Sequence, residues 1–159
     1  MSRVVVRTAI ADWVKAAEIF DDVRRGKVQF QTPKFVAGTP NYRTVAYVLL
    51  SNAHESRIAM GGPTSGVKQI DYTAHVVMHF WSIDPDWEAA QDRFDEVIDL
   101  LKAQIRTGGR TLGRPDVVLQ AGEWAAGIDD QVTEPVTVAG AQMTQVASVS
   151  FEVTELIFS

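Results

Sequence analysis

The sequence predicts an α+β fold: a mostly antiparallel sheet of four to six strands with two amphipathic helices packed on one face. Three observations predict it. Two stretches repeat apolar residues at three- and four-residue steps, several shorter ones alternate or run continuously apolar as strands do, and the order along the chain is α, β, α, β. At 159 residues, with 46% apolar and 22% charged residues, the chain has material for one core. A chain of this size buries roughly 70% of its unfolded surface. No repeat, low-complexity run or linker divides it, so residues 1 to 159 read as a single domain.

Taken in order, residues 4 to 24 read as a first helix, with Ser2 as its cap, Val6, Ile10, Trp13, Ala17 and Phe20 as its stripe, and Gly26 as its stop. A short strand is expected from Val28 to Gln31. Pro33, Gly38 and Pro40 then mark a turn-rich stretch. TVAYVLLS at 44 to 51 is apolar on both faces, as a central strand is. Residues 52 to 69 read as a tip, in which Arg57 to Met60 can pair as a strand and Gly61, Gly62, Pro63 and Gly66 mark mobility. DYTAHVVMHFWS at 71 to 82 places Tyr72, Ala74, Val76, Met78 and Phe80 on one face and His75, Val77, His79 and Trp81 on the other.

The second helix is the best specified element. Asp84 stands at the N-cap, Pro85 at the first helical position, and Asp86 and Glu88 beside the orphan amides. Trp87, Ala90, Phe94, Val97, Ile98, Leu101 and Ile105 form its buried stripe, with Asp92, Asp95, Glu96, Asp99 and Lys102 opposite and Gly108 and Gly109 as its stop. Burying that stripe is worth on the order of 10 kcal/mol gross, at about 1.5 to 3 per large side chain. Residues 116 to 122 read as a strand and 127 to 140 as an acidic loop. The closing stretch alternates Val149, Phe151 and Val153 against Ser150, Glu152 and Thr154.

Catalytic patterns fail on inspection. There is no cysteine, which removes disulfides, thiolate zinc sites and a cysteine nucleophile. His75 and His79 share a strand face but stand about 13 Å apart at about 3.3 Å per residue, too far to hold one metal. His54-Glu55 lacks the second histidine of a zincin helix, and GGRTLGR at 108 to 114 lacks the Lys-Ser/Thr of a phosphate loop. No Gly-x-Ser-x-Gly elbow exists. The chain therefore reads as a non-enzyme without a cofactor or metal. Its start is interrupted by Arg3, Arg7, Asp12 and Lys15, and nowhere do 18 apolar residues run together, so neither a signal peptide nor a membrane span is expected.

The net charge of −5 is unevenly spread. Residues 1 to 57 hold nine Lys/Arg against five Asp/Glu, a balance of +4, whereas residues 58 to 159 hold six against fifteen, a balance of −9. Such polarity suits a subunit that meets copies of itself or two unlike partners through opposite faces. The one basic cluster, Arg24, Arg25 and Lys27, has no run of aromatics beside it for base stacking, which disfavours nucleic acid.

An N-terminal helix with an internal Trp13, a strand running straight into an acid- and Pro-capped helix (HFWSIDPDWEAAQDRFDEVIDLLKAQI), a Gly-rich turn and a closing FEVTELIF strand follow one another here. In that order of elements the chain resembles, over nearly its whole length, the tail terminator proteins of long-tailed bacteriophages, of the minor-tail-protein-U type. The resemblance implies a six-subunit ring that caps the tail tube, stops its elongation and offers a docking surface to the head-to-tail connector. Its partners would be copies of itself, the tail tube protein and the connector or stopper. Its place would be the head-proximal end of the virion tail, after assembly in the host cytoplasm. Contact residues are expected in the 52 to 69 tip (Arg57, Lys68) and in the loops carrying Arg110, Arg114 and Trp124, an aromatic suited to anchoring an interface. Two alternatives remain at this point. One is another neck component, a stopper or tube subunit; the other is a small-molecule binder or enzyme in which Tyr72, His75, His79 and Trp81 line a cavity between sheet and helices.

Overall fold

A computed structural model describes residues 2–57, 66–107, 112, 116–119, 127–138 and 142–158. Three long strands form the frame: β2 (Tyr42–Arg57), β3 (Val67–Ser82) and β7 (Gln142–Phe158). They lie in the order β2-β3-β7, antiparallel throughout. β1 (Asp22–Arg24) joins the β2 edge in parallel. On the far edge of β7, three short segments follow one another: β4 (Val117–Leu119) against 153–155, β5 (Asp129–Val132) against 147–150, and β6 (Val136–Val138) against 142–144. The seven segments thus make a sheet five ranks wide, and α1 (Ser2–Ala16) and α2 (Trp87–Thr107) complete an α+β fold.

Register decides which residues share a face. Ala46 pairs with Met78 and Met78 with Ala147; Val48 pairs with Val76 and Val76 with Val149. These positions, with Ala74, Phe80, Phe151 and Val153, form one dry face. Val6, Ile10 and Val14 of α1 and Phe94, Ile98, Leu101 and Ile105 of α2 close over it. Phe94 stacks on Phe80 with ring centroids 5.0 Å apart, and Gln104 Nε2 donates to the Trp13 carbonyl across the two helices at 2.8 Å. Both helices therefore lie on one face, as the stripes predict.

Several boundaries differ from the sequence expectation. α1 ends at Ala16, ten residues short of Gly26, because Glu18 takes a left-handed φ of 56° and the Ala17 and Glu18 amides bond back three residues in a tightened last turn. Ile19 and Phe20 still reach the core, but from outside the helix. Ser2 is the first helical residue and not a cap. The strand falls at Asp22–Arg24 and not at Val28–Gln31, since β1 already occupies the edge positions opposite Val45–Tyr47. Residues 25 to 41 instead form an irregular arm.

α2 starts at Trp87 and its cap is Asp86, whose Oδ1 accepts the amides of Glu88 and Ala89 at 3.1 and 3.3 Å. Asp84 serves the turn before it, accepting the Asp86 amide at 2.9 Å, while Pro85 sits ahead of the helix. The helix runs to Thr107, and Gly108 and Gly109 lie outside the described residues. The 52 to 69 tip is strand through Arg57 and again from Val67, with a bulge between Ser51 and His54 where Asn52 adopts φ 49°. The expected acidic loop at 127 to 140 contains β5 and β6, an edge strand broken at Glu134-Pro135, where a residue without an N–H leaves the ladder.

Candidate assembly surfaces

The opposite sheet face carries a second, smaller layer. Val45, Tyr47 and Trp81 are buried there, and Phe30 from the arm plugs the centre, 6.2 Å from Tyr47, 5.7 Å from His79 and 6.5 Å from Trp81 between ring centroids. Burial beneath Phe30, and then the nearby Lys27 ammonium, hold the His79 imidazole below its usual value. Tyr72 faces the helices, whereas His75, His79 and Trp81 face away from them. The four residues expected to line one cavity are thus split between the two sides of the sheet. His79 lines a cavity of about 530 Å³ with Lys27, Gln29, Phe30 and Val146, and Trp81 lines a neighbouring one of about 350 Å³ with Phe30, Lys34 and Arg43.

Further along the same face, Ser51 Oγ lies 2.7 Å from His75 Nε2 and Ser150 Oγ lies 2.8 Å from His75 Nδ1. The imidazole ties three strands together through its two ring nitrogens. Nothing in the primary sequence marks this row, because Ser51, His75 and Ser150 meet only once the register of three strands is set. Thr154 Oγ1 donates to Asp71 at 2.6 Å further along, so this part of the face is polar.

The two flanks of the sheet differ in charge. At the β1 flank stand Arg24, Arg25, Lys27, Lys34 and Arg43 against Asp21 and Asp22, with Arg7 and Lys15 against Asp12 and Glu18 on and just after the neighbouring α1, an excess of three cations; Arg24 is paired with Asp22 at 2.9 Å. At the β5 flank stand Asp129, Asp130 and Glu134, backed by the exposed acids of α2. Lys102 of α2 pairs with Asp130. Asp95 shows how crowded this flank is. Partial burial, then repulsion from Asp92, Asp99 and Asp130, raise its carboxyl above the ordinary range. The polarity seen along the chain is therefore a polarity across the sheet, because the first third of the sequence builds one flank and α2 with β5 builds the other.

The ends of the long strands make two further surfaces. Strands of 16, 16 and 17 residues are long for a domain of this size. They span about 50 Å at about 3.3 Å per residue. At one end Arg57 and Lys68 are cross-strand partners, and Lys68 pairs with Glu55 at 3.4 Å. Among the expected contact residues these two are brought together; Arg110, Arg114 and Trp124 lie outside the described residues. The other end carries the Asp84–Asp86 turn and the return of the arm into β2. Among the described residues no helix is long and apolar enough to cross a membrane. No protein-family model matches the chain, and no curated protein is significantly similar to it.

Proposed function

We propose that the chain is a ring-forming structural subunit, a tail terminator that caps a phage tail tube and receives the head-to-tail connector. The observation that carries this reading is the opposition of a basic β1 flank and an acidic β5 flank on one rigid sheet. Two unlike, complementary flanks make a heterologous contact, and a heterologous contact repeated with a fixed rotation closes into a ring. Six subunits, the number implied by the resemblance, require 60° between neighbours. A two-fold dimer, by contrast, needs a surface that complements itself.

The flanks then serve neighbours in the ring, and the two strand ends serve the unlike partners stacked along its axis. One end carries the Arg57–Lys68 strand pair, with Lys68 in an ion pair with Glu55; the other presents the Asp84–Asp86 turn. Termination follows from shape alone. A tube grows while its exposed end fits another subunit, and growth stops when the ring fits the tube on one end only. No bond is made or broken in this mechanism.

Light scattering across concentration, followed by negative-stain imaging, tests it. The expected result is a single hexamer mass with ring-shaped particles that bind tube ends. Open-ended polymers would instead favour a tube subunit, and a monomer at every concentration would overturn the ring.

A further inference from the structure

The arm, residues 25 to 41, is held on its own sheet unusually weakly. It contains no helix or strand. Among the described residues only two hydrogen bonds tie it to the rest of the chain: Gln142 Nε2 donates to the Pro33 carbonyl at 3.2 Å, and the Ile83 amide donates to the Asn41 carbonyl at 2.9 Å. No arm residue is fully buried; half-buried Phe30 makes its ring contacts in the Tyr47–His79–Trp81 box, with cavities of about 530 and 350 Å³ beside it. Val28 and Val36, both on the arm, remain exposed.

Its cations are exposed to solvent where it lies. Among the described residues Arg25, Lys27 and Lys34 have no carboxylate at ion-pair distance, and the arm leaves the molecule from the basic flank. In a head-to-tail ring that flank faces the acidic flank of the next copy. We infer that the arm is exchanged on ring closure: residues 25 to 41 of each copy cross to the second sheet face of its neighbour, where Phe30 enters the neighbour's Tyr47–His79–Trp81 box. This rests on the ring reading above and adds the segment that fastens the ring.

Distance permits the crossing. The arm leaves β1 and returns to β2 on the same edge, and Phe30 stands six residues beyond Arg24, a reach of about 20 Å when extended. From the neighbour's β5 edge the box lies two to three ranks inward, in the order β5-β7-β3-β2. With one further spacing between the edges of the two molecules that is about 14 to 19 Å at about 4.8 Å per rank. Exchange keeps every contact Phe30 makes in the single chain, since the box is identical, and sets Lys27 and Lys34 over Asp129, Asp130 and Glu134, which they do not meet at home. Near the return of the arm, Gly38 sits at φ 87°, a conformation that lets the chain reverse there.

The absence of cysteine allows a clean test. Gln29 and Val146 line the same cavity, one on the arm and one on β7. Chains carrying only Gln29→Cys are mixed with chains carrying only Val146→Cys, allowed to assemble, and treated with a short bismaleimide. Exchange predicts a covalent dimer on a denaturing gel, and for the double variant in rings a ladder of up to six chains. Rings in which the double variant bridges only within single chains, with no mixed dimer, would overturn the exchange and leave the ring standing. Absence of any ring in the unmodified chain would overturn both. Lys34→Cys with Gln142→Cys, across the Pro33 hydrogen bond, provides a second pair should the first disturb folding.

Discussion

Asp84 and Asp86 stand two residues apart, carry the same group and do different work. Asp86 satisfies two of the free amides at the head of α2, and its charge opposes the positive end of the helix dipole. Asp84 holds only the turn that leads there, and its own amide donates to Ser82 Oγ at 3.1 Å. Asp86→Ala should therefore lower the unfolding free energy by about 1 kcal/mol. Asp84→Ala should cost measurably less, and urea denaturation of the two variants decides between this assignment and the reverse. The sequence alone favours Asp84, because Pro85 is a good first helical residue. The geometry favours Asp86, because leaving β3 requires a turn before a helix can begin.

Among the elements, the arm is packed on His79 of β3, whose imidazole is held below its usual value. Facing His79 are Lys27 and Phe30 from the arm, Tyr47 from β2, Trp81 from β3 and Val146 from β7, with no carboxylate in that set. The folded state holds His79 neutral below the pH at which an unfolded imidazole, with its value of about 6.5, takes a proton. The unfolded chain then binds more protons, so stability is full above about pH 6.5 and falls as pH drops through the lowered folded value. Hydrogen exchange in residues 27 to 35 should accelerate over that range, and His79→Phe, which keeps a ring in the box, should remove the acceleration. An unchanged pH profile in that variant would show that other groups loosen the arm. The arm itself was illegible from sequence, since Val28-Gln29-Phe30-Gln31 alternates as a strand does. α2 was legible, because seven apolar residues in a 3.6-residue period admit only one face.

For the whole molecule, charge polarity is the property with consequences. Arg24 and Arg25 are exposed on the β1 flank, and an exposed surface charge contributes little to the stability of a single chain. Reversing both to Glu should leave the thermal midpoint of the dilute chain within a few degrees of its original value. In the proposed ring the same change places like charges against Asp129, Asp130 and Glu134 of a neighbour and should raise the concentration needed for assembly at least tenfold. Sedimentation at low and high salt checks this: the defect should shrink as salt screens the repulsion. A defect that persists at high salt would point to lost packing.

The primary sequence determined the fold class, the buried stripe of α2, the dry face of the last strand and the net excess of acid in the second part of the chain. These depend on local periodicity and composition, which a single strand or helix expresses by itself. Only the tertiary structure decided that the basic and acidic segments face opposite ways, that Ser51, His75 and Ser150 meet, and that Phe30 crosses the sheet instead of extending its edge. Each of these depends on which strand lies beside which and in what register, and strand pairing joins residues as far apart as Asp71 and Thr154 that no local pattern connects.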